Sequence, residues 1–149
     1  MDDEASYGRL VELLRKMGPV AAGAGVTLGL ETSLGAEDHK KLIDMVNHPA
    51  VRVFWDFDNL EFYGHTGEAV KGLDVLGAGR ICQVHCKNED CLLEQPGRVD
   101  WAAACRALKR IGYEGWYEFE TRHASPEQCV EVTRRNIDFL KRNTVATAS

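Results

Sequence analysis

The chain has 149 residues, 44% of them hydrophobic and 28% charged, which is enough apolar material for one domain with its own core. A formal charge of -5, with no Lys/Arg run interleaved with aromatics, argues against nucleic acid as a partner. Five cysteines, at 82, 86, 91, 105 and 129, form no CxxC pair, so neither a disulfide framework nor structural zinc is expected and a reducing, cytoplasmic setting fits.

The chain opens Met1-Asp2-Asp3-Glu4 and no apolar run approaches membrane-spanning length, so neither a signal peptide nor a transmembrane helix is predicted. Residues 5–17 place Leu10, Leu13, Leu14 and Met17 on one stripe of a first amphipathic helix. A strand over 26–31 follows, then a helix over about 36–46 that stops ahead of His48-Pro49. The cycle repeats with a strand over 51–56, a helix from an N-cap at Thr66 to about Leu76, and a strand over 80–85. A helix from near Asp100 to Ile111-Gly112 leads to a strand over 116–120. The last helix starts with Ser125 at N-cap, Pro126 at N1 and Gln128 at N3, and runs to about Lys141 before a frayed tail ending Thr-Ala-Ser.

Strict alternation of helix and strand means parallel strands joined by right-handed crossovers. The fold class is therefore α/β, a single domain over 1–149 with a leading helix and about four βα units. A flavodoxin-like open sheet has the same element order but would carry a Gly-rich first loop, which is missing; the placement of polar residues favours a segment of a (β/α) barrel.

Each strand ends in a metal-competent side chain: Glu31, Asp56, His85 and Glu120. Side chains two apart on a strand share a face, so Asp56 pairs with Asp58 and Glu118 with Glu120. Asp56 and Glu120 are taken as the rim ligands, Asp58 as a loop residue and Glu118 as a deeper polar group. The same parity puts Gln83, His85 and Lys87 on one face, and Cys82, Val84 and Cys86 on the other, against the helices. His39 and His48 lack this register, whereas His65 and His123 follow ligand-bearing strands and can reach the site. Three carboxylates and one imidazole suit Mn2+ or Mg2+, with Co2+ or Zn2+ as substitutes. Such an ion polarises a carbonyl and its neighbouring hydroxyl, and a nearby carboxylate can then act as base.

Several short motifs, in order, carry a family resemblance: Leu30-Glu31 within LGLET, Asp56-Phe57-Asp58-Asn59, His85-Cys86-Lys87, Gly97-Arg98-Val99-Asp100, and Gly112-Tyr113-Glu114-Gly115 leading to Glu120. The chain resembles the C-terminal half of the sugar phosphate isomerase/epimerase family of xylose isomerase-like TIM barrels. The resemblance implies Glu31, Asp56, His85 and Glu120 as metal ligands, with Glu31 and Glu120 doubling as acid/base residues. It also implies Asn59 and Lys87 as substrate-binding groups, to which the position of His65 adds a third candidate. Position 88 is Asn where Asp is usual, and position 58 is Asp where Gly is common.

The implied activity is metal-dependent isomerisation or epimerisation of a sugar, sugar phosphate or polyol. An inosose-type dehydratase and a non-catalytic metal- or sugar-binding half-barrel are the alternatives. Four strands leave sheet edges and an inner face exposed, so completion by a homodimer or by a complementary N-terminal half-chain is expected.

Overall fold

The computed structural model describes residues 4–88 and 92–144; the expected tail and Cys91 lie outside them. Six α-helices and four strands are described: α1 (Glu4–Gly23), β1 (Leu28–Leu30), α2 (Ala36–Val46), β2 (Val51–Asp56), α3 (Phe57–Phe62), α4 (Glu68–Leu76), β3 (Ile81–Cys86), α5 (Trp101–Arg110), β4 (Trp116–Phe119) and α6 (Pro126–Thr144). All strand pairs are parallel and the sheet order is β1-β2-β3-β4, so every crossover joins neighbours and four βα units form part of a barrel wall. Among the described residues, no helix is long and apolar enough to cross a membrane.

The core lies between the sheet and the helices. Val53, Trp55 and Val84 from the strands meet Leu42, Leu73, Leu76, Ala104 and Leu108 from the helices, all essentially buried. Each such large aliphatic or aromatic side chain contributes about 1.5–3 kcal/mol by leaving water. The indole N–H of Trp55 donates to Ala69 O at 3.0 Å, so this large side chain is buried without an unmet donor. Asp100 caps α5 by accepting from Ala103 N–H at 2.9 Å. Ser125 caps α6 as expected, accepting at Oγ from Gln128 N–H at 3.2 Å, but Gln128 Oε1 accepts from Ala124 N–H at 2.6 Å, one residue before the N-cap, and not from Ser125 N–H.

Several boundaries differ from the sequence expectation. The first helix runs on past Met17 to Gly23 with Pro19 inside it, and the first strand contracts to three residues. Gly18 admits the His48 ring so closely that a Cβ there would lie 2.6 Å from His48 Cγ, so the His-Pro turn packs on the helix that Pro19 failed to end. Asp58 is not in a loop: it lies in α3, a short extra helix that starts directly at the end of β2. Thr66 does not cap the following helix, whose N-cap is Gly67 in a left-handed conformation with its N–H held by the Glu61 carboxylate at 3.0 Å.

The registers of β2 and β3 skip one residue. Val53 pairs with Ile81 but Phe54 pairs with Gln83, leaving Cys82 as an extra residue in the ladder. Cys82 therefore does not pack against the helices; a Cβ on Gly29 of β1 would lie 3.1 Å from its sulfur and 3.3 Å from Phe54 Cβ, on the inner face. Cys86 is buried in the core as expected, and Cys105 is buried there too. The inner face is concave and open, a hollow of about 870 Å3 lined by Gly29, Phe54, Cys82, Gln83 and Trp116, with Trp116 78% exposed.

Candidate metal centre

After the skipped residue, β2 and β3 run in phase, and Asp56 pairs directly with His85. His85 pairs in turn with Glu118 on β4. Glu31 lies one residue beyond β1 and Glu120 one residue beyond β4, so four donors gather at the carboxyl ends of four parallel strands. In (β/α) barrels this is the end where chemistry sits.

The imidazole is the hub. His85 Nδ1 lies 3.1 Å from Asp56 Oδ2, 3.3 Å from Glu31 Oε1 and 3.8 Å from Glu120 Oε2. Its other nitrogen, Nε2, faces Glu118 Oε1 at 3.7 Å, and the Gln83 amide also donates to Glu118. The Phe54 ring lies 4.1 Å from the imidazole, centroid to centroid, on the inner face of β2. Donor atoms of Glu31, Asp56 and His85 all lie within 4.8 Å of one another. Two carboxylates and one imidazole so close together fit a hard divalent cation, with Glu120 at the edge of the group, and a protein ammonium already draws on it: Lys87 Nζ stands 2.8 Å from Asp56 Oδ2 and 2.7 Å from Glu120 Oε2.

Both ends of Asp56 are used. Oδ1 accepts from Asn59 N–H at 2.9 Å and so caps α3, while Oδ2 faces His85 and Lys87. Burial opposes its charge, but the bonds from His85, Lys87 and Asn59 N–H prevail and hold its carboxyl below the usual range. Burial likewise disfavours charge on His85, yet Asp56, Glu31 and Glu120 together raise its pKa. Glu31 is raised, first by burial and then by the nearby Asp56 carboxylate, against the pull of His85. Lys87 is raised as well, since Asp56 and Glu120 outweigh its partial burial.

Asn59 links the two flanks of the site, donating from Nδ2 to Glu31 Oε1 at 3.0 Å and accepting from Lys87 Nζ at 3.0 Å. The structure thus brings together Glu31, Asp56, Asn59, His85, Lys87 and Glu120. His65 is elsewhere engaged: Ser33 O lies 2.9 Å from its Nε2 and Glu68 lies 3.9 Å from its Nδ1, and none of its described polar contacts is to a rim carboxylate. His39 is a core residue whose Nε2 meets Thr32 Oγ1 at 2.9 Å; burial keeps its pKa down. His123 contacts Thr121 Oγ1 at 2.6 Å.

Sequence reasoning missed two supports of the site. Arg98 Nη1 reaches Asp58 Oδ2 at 3.1 Å, tying the segment after β3 to α3. Asn88, fully buried, donates from Nδ2 to Leu92 O at 3.1 Å and to Gln95 O at 2.8 Å, folding the same segment back on itself. Arg98 stands in the Gly97-Asp100 motif, but its pairing across 40 residues leaves no local signal, whereas Asn88 bonds to carbonyls only four and seven residues on.

The chain superposes on D-psicose 3-epimerase with D-tagatose from Clostridium cellulolyticum H10, with a TM-score of 0.80 and 20% identity, covering 98% of this chain and 59% of that one. A D-psicose 3-epimerase in the presence of D-fructose gives 0.83 and 17%, covering 97% and 58%. A xylose isomerase domain protein from Planctomyces limnophilus gives 0.78 and 24%, covering 96% and 58%. The chain thus spans somewhat under three-fifths of the length of these structures. No curated protein sequence matches it significantly. Residues 1–143 match one family throughout, and the chain belongs to the xylose isomerase-like TIM barrel family.

Proposed function

We propose that the chain is a sugar isomerase or epimerase that uses a divalent metal, Mn2+ or Mg2+, to move a proton at a carbon next to a carbonyl. One observation carries the reading: carboxylates from β1, β2 and β4 converge within 3.8 Å of a single nitrogen, His85 Nδ1, on β3. Held by Glu31, Asp56, His85 and Glu120, the ion would supply Lewis acidity toward a carbonyl and its neighbouring hydroxyl. Glu31 and Glu120 come from the two outermost strands, so a sugar lying between them meets a carboxylate on each face. One removes the proton and the other returns it. The raised pKa of Glu31 suits a group that takes up and gives back a proton. Asn59 and Lys87 offer a neutral and a cationic donor beside these carboxylates for substrate oxygens. The sugar epimerases among the structural neighbours support the reaction class.

The other part of the proposal concerns the pocket. The sheet ends on β1 and on β4 with nothing paired beyond either among the described residues. The helices flanking those ends both show apolar side chains to solvent, Leu13, Met17 and Val20 on α1 and Val130 and Ile137 on α6. A second copy related by a twofold axis along the strands would set its β1/α1 end against this β4/α6 end and keep every strand parallel. The chain carries both mating ends itself, which is why a second copy is the chosen occupant. An N-terminal half-barrel is the competing one.

The test is solvent-proton exchange in 2H2O with a panel of ketoses and aldoses in the presence of Mn2+. The expected result is metal-dependent deuterium incorporation at the carbon beside the carbonyl, abolished by Glu120→Gln with the circular dichroism spectrum unchanged. Incorporation by the variant at the wild-type rate would remove Glu120 from the proton transfer. The open inner face, with Trp116 in solvent, favours one second reading, a metal- or sugar-binding half-barrel without catalysis. Metal and sugar binding with no exchange of any proton would select it.

A further inference from the structure

The acidic cluster at the rim is organised around a lysine as much as around a histidine. Lys87 Nζ stands 2.8 Å from Asp56 Oδ2 and 2.7 Å from Glu120 Oε2, with Asn59 Oδ1 at 3.0 Å. Its backbone is fixed too, because Lys87 O accepts from the buried Trp101 indole at 2.9 Å. Asp56 Oδ2 is also the oxygen that faces His85 Nδ1, so it is the lone-pair donor that a metal in this site would take. A divalent ion would sit about 2.0–2.2 Å from that oxygen. An ammonium 2.8 Å from the same oxygen is then no more than about 5 Å from the ion, in a half-buried place where the repulsion between like charges is weakly screened.

We propose that Lys87 and the divalent ion are alternative cations for Asp56 and Glu120: Lys87 neutralises the cluster in the metal-free protein and leaves Asp56 when the ion enters. This rests on the metal-site reading above. The lysine keeps the three carboxylates from repelling one another when no metal is present, at the expense of metal affinity. Once displaced from Asp56, the ammonium still has Asn59 Oδ1 as a partner and is free to meet a substrate oxygen. The usual role of a group hydrogen-bonded to a ligand is the opposite one, orienting it, and its loss weakens metal binding about 10- to 100-fold. The two roles therefore predict opposite signs.

The experiment is calorimetric titration of the metal-free full chain with MnCl2, comparing wild type with Lys87→Met, Lys87→Gln and Lys87→Arg. The expected result is a Kd about tenfold or more lower in the Met and Gln variants, from removal of the competing charge, and near wild type in the Arg variant. The metal-free Met and Gln variants should also melt at lower temperature and recover wild-type melting when saturated with Mn2+. An equal or higher Kd in both neutral variants overturns the proposal while leaving the metal site standing. No binding by wild type or by any variant overturns the metal-site reading and this proposal with it. The Gln variant retains a donor for Asp56 or Asn59 and serves if the Met variant does not fold.

Discussion

Asn88 shows how one side chain can decide the shape of a rim segment. Both of its amide hydrogens go to main-chain carbonyls, Leu92 O and Gln95 O, in a place with no solvent exposure. Its own carbonyl oxygen presses on the chain at Gly97, where a Cβ would come within 1.7 Å of Asn88 Oδ1. A carboxylate has no hydrogens to give, so Asp in this position would turn acceptor against two acceptors. The Asn at a position where Asp resembles the family better thus has a local cause. Asn88→Asp is expected to lower stability by about 2 kcal/mol or more, read as a lower urea midpoint at neutral pH. An unchanged midpoint would mean that these two hydrogen bonds do not hold the segment. Gly97→Ala should be destabilising for the same reason, since the buried amide has no room to retreat.

At the scale of elements, glycine in a helix has opposite meanings in α1 and α4. Gly72 lies where α4 crosses α2 and β2: a Cβ there would sit 2.8 Å from Ala36 Cβ and 2.8 Å from Trp55 Cη2. Alanine favours a helix by roughly 1 kcal/mol over glycine, but overpacking a core contact costs about 1–3 kcal/mol. Gly72→Ala should therefore be net destabilising. Gly8 in α1 has nothing within 4 Å of the same point, so Gly8→Ala should raise the melting temperature through about 0.4–1 kcal/mol of stabilisation. Equal effects at the two sites would contradict the close packing of α2, α4 and β2.

Elements of this kind also mark where sequence was and was not readable. The α/β alternation, the helix start near Asp100, the cap at Ser125, and the strand-end acids and histidine all rest on periodicity and on residue type at a chain position, which are local properties. The short helix α3 escaped because Asp56 is at once strand end and N-cap, a dual use that no pattern separates. The first helix extends past Met17 through Gly18 and Pro19, a continuation that the apolar stripe ending at Met17 does not announce. The inner placement of Cys82 could not be read from alternation, since an extra residue in a ladder becomes visible only when the partner strand is in view.

At the scale of the whole molecule, the described residues form a four-stranded parallel wall whose outer strands pair with nothing further and whose concave face shows an exposed tryptophan, and closure by a second copy is the proposal to test. Sedimentation equilibrium of the 149-residue chain is expected to give twice the chain mass of 16.6 kDa. Leu13→Lys combined with Val20→Lys charges the outer stripe of α1 and should return the mass to that of one chain with the helical signal retained. A wild-type chain that stays at single mass across micromolar concentrations would rule out the twofold closure and leave an N-terminal half-barrel as the partner.

The skipped residue at Cys82 gives the metal centre a property separate from the fold. Upstream of it, β3 presents Ile81 to the core beside Val53; downstream, it presents His85 to the inside beside Asp56. Were Cys82 paired in regular order instead of bulged out, the same residues would place Val84 beside Asp56 and send His85 into the helix layer. The ladder thus absorbs one surplus residue at Cys82 and still delivers His85 to Asp56, so the centre depends on the bulge and not only on which residues the strand carries. Deleting Cys82 is therefore expected to leave a regular ladder with His85 still beside Asp56, and with it the centre.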